Sequence, residues 1–175
     1  QTTAAGPYYA IPSWDQTLPC TALANCPRFV VLSNFGGAAV LDRETGLVWE
    51  RSVGDRNGDG IIDFRDFRSW PEALSHCATT VVGNRRGWRL PTVQELATLV
   101  DPVHTNPSLP SGHPFTNIQR SDMDESIFAW SATSSLGNSA RAWGVYFATS
   151  QVFTENKADG NPFWCVRGGQ GTDSQ

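Results

Sequence analysis

Residues Asp55-Arg56-Asn57-Gly58-Asp59-Gly60-Ile61-Ile62-Asp63-Phe64-Arg65-Asp66 carry side-chain oxygens at the first, third, fifth, ninth and twelfth places of a twelve-residue run. A hard cation takes six to eight oxygens, and alternate side chains of a tightly wound loop converge on one point. Gly60 stands at the sixth place, where the chain must turn sharply. The pattern predicts a Ca2+ site built from Asp55, Asn57, Asp59, Asp63 and Asp66, with Ile61 offering its backbone carbonyl. Ile62 is expected to point into the core. A solvated turn is the competing reading, because Asp, Asn and Gly are ordinary turn formers. With one such loop rather than a pair, the expected role is structural: four clustered carboxylates repel one another unless a cation intervenes.

No other grouping is as sharp. His76, His104 and His113 are scattered, without a carboxylate at motif spacing, and read as surface or capping residues. Ser131, Ser134 and Ser135 lack a nucleophile elbow or a Ser-x-x-Lys pair. Gly36-Gly37 and Gly168-Gly169 lack the rest of a phosphate-binding loop. No catalytic residue and no organic cofactor is expected. Seven tryptophans invite two readings: most as core, and one or two near loops as a platform for a sugar or a partner.

Two capping boxes mark the helices that frame these residues. Ser69-Trp70-Pro71-Glu72 opens one to about Ala78, with Trp70, Ala73, Leu74 and Cys77 on one face. Thr92-Val93-Gln94-Glu95 opens another to about Val100. Strands are expected at Phe29–Leu32, Ala38–Leu41, Leu47–Glu50, Ala129–Ala132, Ala142–Phe147, Gln151–Thr154 and Phe163–Arg167. Asp42-Arg43-Glu44-Thr45-Gly46 reads as a hairpin turn, and 101–126 as a long ordered loop. Residues 1–27 form an extended, Pro-rich arm with Tyr8–Ile11 as its one short strand, and 170–175 a loose tail.

Composition narrows the class. The chain has 175 residues, a net charge of -4 and a single lysine, which argues against nucleic acid as a partner. No apolar run reaches the roughly 20 residues of a membrane span. The start at Gln1 reads as a mature end left after signal-peptide removal. Four cysteines allow three pairings. We favour Cys20–Cys26, closing a small loop, with Cys77–Cys165, tying the middle of the chain to its end. An oxidising, extracellular or cell-surface location follows.

The dispersed matches form a familiar set: Val40-Leu41-Asp42-Arg43-Glu44-Thr45-Gly46-Leu47-Val48-Trp49-Glu50, Trp70-x-x-Ala73-x-x-x-Cys77, and Gly87-Trp88-Arg89-Leu90-Pro91-Thr92 with Glu95-Leu96. Asn106-Pro107-Ser108-Leu109-Pro110, Gly112-His113-Pro114-Phe115, Trp130-Ser131-Ala132-Thr133, Ala142-Trp143-x-Val145-x-Phe147 and Trp164-Cys165-Val166-Arg167 follow in order. Over about 28–169 the chain resembles the secreted bacterial family named for the C-terminal domain of the Legionella collagen-like adhesin. The resemblance implies an α+β, C-type-lectin-like fold, with two helices packed on short twisted antiparallel strands. It also implies Cys77–Cys165 as the staple between first helix and last strand. The metal loop, with Asp66 at its twelfth place, resembles those of dockerin modules. Sugar-ligating calcium motifs of C-type lectins are absent, as is the redox cysteine pair of formylglycine-generating enzymes. The resulting expectation is a non-enzymatic, calcium-stabilised binding or adhesion module with a glycan or protein ligand. The alternative is a self-assembling subunit, a homo-oligomer or polymer joined through the arm.

Overall fold

The hairpin at 39–50 shows how local chemistry starts the fold. Strands β2 (Ala39–Asp42) and β3 (Val48–Glu50) pair antiparallel with Val40 opposite Trp49. The turn between them closes on the buried Asp42 carboxylate. It accepts from the Glu44 N–H at 3.0 Å and the Thr45 hydroxyl at 3.0 Å, and takes two bonds from Arg28. An acidic side chain is stable at that depth only because each oxygen is bonded.

The computed structural model describes residues 27–119 and 127–169. The expected arm, its Tyr8–Ile11 strand, the Cys20–Cys26 pair and the tail at 170–175 lie outside the described residues. The remaining elements are β1 (Phe29–Val31), α1 (Trp70–Thr79), β4 (Trp88–Arg89), α2 (Val93–Ala97), β5 (Phe128–Ser134), β6 (Arg141–Tyr146), β7 (Gln151–Asn156) and β8 (Val166–Arg167). The architecture is α+β, with two antiparallel sheets in the orders β1-β2-β3-β8-β4 and β5-β6-β7. Among the described residues no helix is long and apolar enough to cross a membrane.

Both helices start where their capping boxes predict. Glu72 accepts from the Ser69 N–H and hydroxyl at 2.9 and 2.6 Å. Glu95 accepts from the Thr92 N–H at 2.9 Å, and Thr92 Oγ1 accepts from the Glu95 N–H at 3.2 Å. The second helix is shorter than expected: α2 ends at Ala97, although Leu96 and Leu99 are buried as its pattern requires. The last strand is also shorter, with Phe163 joined to Trp130 by an isolated bridge and the ladder confined to Val166–Arg167.

Cys77 and Cys165 are disulfide-bonded, joining α1 to the segment entering β8. That bond closes 88 residues, a loop length for which the chain-entropy model gives roughly 4–5 kcal/mol. Trp164, fully buried beside it, meets Trp49, Phe115 and Phe147 ring to ring at 5.4, 4.6 and 5.8 Å. These aromatic contacts fasten the two sheets together around the loop's point of attachment.

Candidate metal loop

The 55–66 loop is wound by its own side chains. Asp55 accepts from the Gly58 N–H at 2.8 Å and the Gly60 N–H at 3.0 Å. Asn57 Oδ1 accepts from the Asp59 N–H, and Asp59 Oδ1 from the Ile61 N–H, both at 2.9 Å. Asp63 repeats the turn with the Arg65 N–H at 2.9 Å. Gly58 and Gly60 have φ of 79° and 82°, left-handed values that side-chain-bearing residues resist. The side chains predicted as ligands therefore also act as the loop's internal clamps.

Asp66 closes the loop on itself, and Ile62 secures it to the domain. Asp66 is 1% exposed; its Oδ1 accepts from the Arg56 and Asn57 N–H groups at 2.8 and 3.1 Å. Its Oδ2 takes the Asp63 N–H at 3.1 Å. Ile62 is buried in the main core, as expected, while Ile61 is exposed. Asn117, from the loop at 101–119, donates its amide to Asp55 at 3.2 Å.

Charge within the loop is unbalanced. Arg65 reaches Asp63 at 2.7 Å and Asp59 at 3.1 Å. Its hydrogen bonds hold the Asp63 carboxyl below the usual carboxylate range and raise the guanidinium in turn. Arg56 does not share this task. Its guanidinium turns inward to Glu50, with bonds of 3.2 and 3.0 Å, and donates to the Phe163 carbonyl at 2.6 Å. Four carboxylates thus face one available guanidinium. Among the described residues no three acidic, histidine or cysteine side chains are drawn close enough to share one ion. The donor set nevertheless fits a hard cation: carboxylates and an amide on a loop already wound at the required places.

Sequence reasoning missed the Glu50–Arg56 pair. Both side chains are nearly buried, at 6% and 7% exposure. Glu50 also accepts the Cys165 N–H at 3.0 Å, and the Arg56 guanidinium lies 4.1 Å above the Phe163 ring centre. His76 of α1 packs edge-on against the same ring at 5.1 Å. Burial, and then the Arg56 charge, lower the His76 pKa from its ordinary value. The second residue of the loop is thereby tied to the disulfide-bearing segment that enters β8. Nothing in local spacing signals a pair whose partners meet only through the core.

Arg89 has a structural partner, bonding Glu95 at 2.8 and 2.6 Å, and Arg167 donates to the Arg86 carbonyl at 2.9 Å. His104 bonds Asp101 at 2.9 Å. His113 stacks on Phe115, with burial lowering its pKa. His76 and His113 are thus half-buried packing residues, more enclosed than a surface or capping role implies.

Residues 38–167 match the Lcl C-terminal domain family. The chain belongs to that family. The Lcl C-terminal match runs from the first strand of the hairpin to the last strand, and includes both helices, the disulfide and the whole 55–66 loop. The part of the chain before Ala38, with β1, lies outside it. No curated protein matches the chain.

Proposed function

We propose that this chain is a non-enzymatic, extracellular binding and adhesion module stabilised by Ca2+. The metal part of the reading is supported by the 55–66 loop, where four carboxylates meet one available guanidinium on a pre-wound scaffold. In this reading Asp55, Asn57, Asp59, Asp63 and Asp66 supply side-chain oxygens, and Ile61 its carbonyl. The cation offsets their mutual repulsion and holds the loop against the core through Ile62 and Arg56. Adhesion is supported by family membership, and the disulfide suits an oxidising location. The proposed fold is C-type-lectin-like, with the loop at 101–128 and nearby aromatics as a recognition face. Melting in excess chelator tests the metal: the transition should fall by several degrees and recover with Ca2+. An unchanged melt, with no metal bound on titration, would reject it. A glycan array showing no ligand would count against adhesion.

The open edge of the three-stranded sheet favours a second reading, a self-assembling subunit. Among the described residues β7 pairs with β6 alone, and its six residues leave one edge free for strand addition. The aromatic and aliphatic sequence Tyr8–Ile11 of another copy suits that edge in composition. Removing residues 1–19 should then leave a folded monomer in place of an oligomer. Assembly that persists without them would sink the idea.

A further inference from the structure

A groove of about 490 Å³ lies where α2 meets the end of the β5–β6–β7 sheet. Its volume falls within the range of small-molecule sites, roughly 300–1,000 Å³. Trp143 of β6 lines it, together with Gln94 of α2, Ser135 and Leu136 beyond β5, and Val152 of β7. No lining side chain among the described residues carries a charge.

Trp143 differs from the other described tryptophans. Trp49, Trp88, Trp130 and Trp164 are buried. Trp70 packs on the second core cluster, donates to the Ser131 carbonyl and carries Lys157 above its ring. Trp143 belongs to neither core cluster, is partly buried, and has no ring partner among the described residues. Leu136 and Val152 beside it are 86% and 44% exposed. An aromatic face, two exposed aliphatic side chains, an amide and a hydroxyl therefore converge on one uncharged groove.

We infer that this groove binds a neutral glycan, with Trp143 as the stacking platform and Gln94 and Ser135 as polar flanks. A pyranose ring has an apolar C–H face and a rim of hydroxyls, which matches an aromatic face edged by an amide and an alcohol. The Lys157 ammonium beside the groove is already engaged, bonded to the Ser134 hydroxyl of the lining and seated over the Trp70 ring, so a sulfated or carboxylated chain would meet no free counter-charge on the lining side chains. The inference rests on the reading of the chain as a binding module, and adds the ligand class and the place where it binds.

Calorimetric titration of the full chain with cellohexaose, chitohexaose and maltohexaose, and with a heparin hexasaccharide, tests it. At least one neutral sugar should bind and heparin should not. Trp143→Ala should weaken binding by roughly tenfold, the scale of one lost aromatic contact. The double variant Gln94→Ala, Ser135→Ala should also weaken binding with an unchanged melting transition, which guards against a folding defect in the tryptophan variant. A neutral sugar held equally well by both variants would overturn the groove but not the binding module. Heparin binding alone would also overturn it. If deletion of residues 1–26 is needed before any sugar binds, the chain's own segment is the occupant and the inference fails. No ligand among these sugars or on a broad array would remove both the groove and the module.

Discussion

Replacing Arg56 with alanine tests whether the 55–66 loop is fastened to the core by a buried charge. In the native chain Arg56 forms two bonds to Glu50, at 3.2 and 3.0 Å, one to the Phe163 carbonyl at 2.6 Å, and lies 4.1 Å above the Phe163 ring. The paired side chains are only 7% and 6% exposed. Arg56→Ala leaves the Glu50 carboxylate buried without its countercharge, an arrangement that costs about 3–5 kcal/mol. The Cys165 N–H remains bonded to Glu50, so that contact is not lost directly. Arg56→Met with Glu50→Leu removes both charges. Both variants leave the Phe163 carbonyl without its donor, and beyond that the double variant should cost less than Arg56→Ala: about 1–3 kcal/mol for the orphaned Cys165 N–H, offset in part by packing. Urea unfolding of all three proteins gives the comparison, with a common slope showing that unfolding exposes the same surface. A loss below 1 kcal/mol for Arg56→Ala, or a double variant weaker than the single, would refute a buried, mutually dependent pair.

Two further expectations follow from the same region and its surroundings. The His76 pKa is lowered by burial, so the stability owed to its neutral ring is complete above the ordinary histidine value of about 6.5. It should be lost as the pH falls through the lower folded-state pKa. Urea midpoints for the parent and His76→Phe should diverge below about pH 6.5 in their pH dependence, and parallel curves would contradict this. Gly83→Ala should destabilise by about 2–4 kcal/mol, combining a left-handed backbone with overpacking. The residue has φ of 56°, and an added Cβ would lie 2.5 Å from the Phe35 carbonyl oxygen. A melt within a degree of the parent would show that the Phe35 turn yields.

Several elements were legible because their determinants lie within a few residues. Ser69–Glu72 and Thr92–Glu95 form reciprocal bonds over three residues, so both helix starts could be read directly. Glu44 and Thr45 close on Asp42 within one turn, and the hairpin followed. The loop residues bond their own N–H groups two to five places on, so its winding was also local. The end of α2 was less legible, because Leu99 is buried yet lies past the regular helix. Its hydrophobic period continues through a turn that no longer follows helical geometry.

The sequence by itself determined the α+β class, the two capped helices, the donor pattern of the 55–66 loop and the inward position of Ile62. Only tertiary structure decided that β8 lies between β3 and β4, and that Glu50 neutralises Arg56. It also separated Trp143 from the tryptophans that fill the cores. The physical reason is range. Caps, turns and Asx clamps are hydrogen bonds between near neighbours, whose geometry a short segment can specify. Strand order, countercharge and exposure depend on which distant surfaces exclude water from one another. The same Trp or Arg can therefore serve opposite ends until the fold has brought those surfaces together.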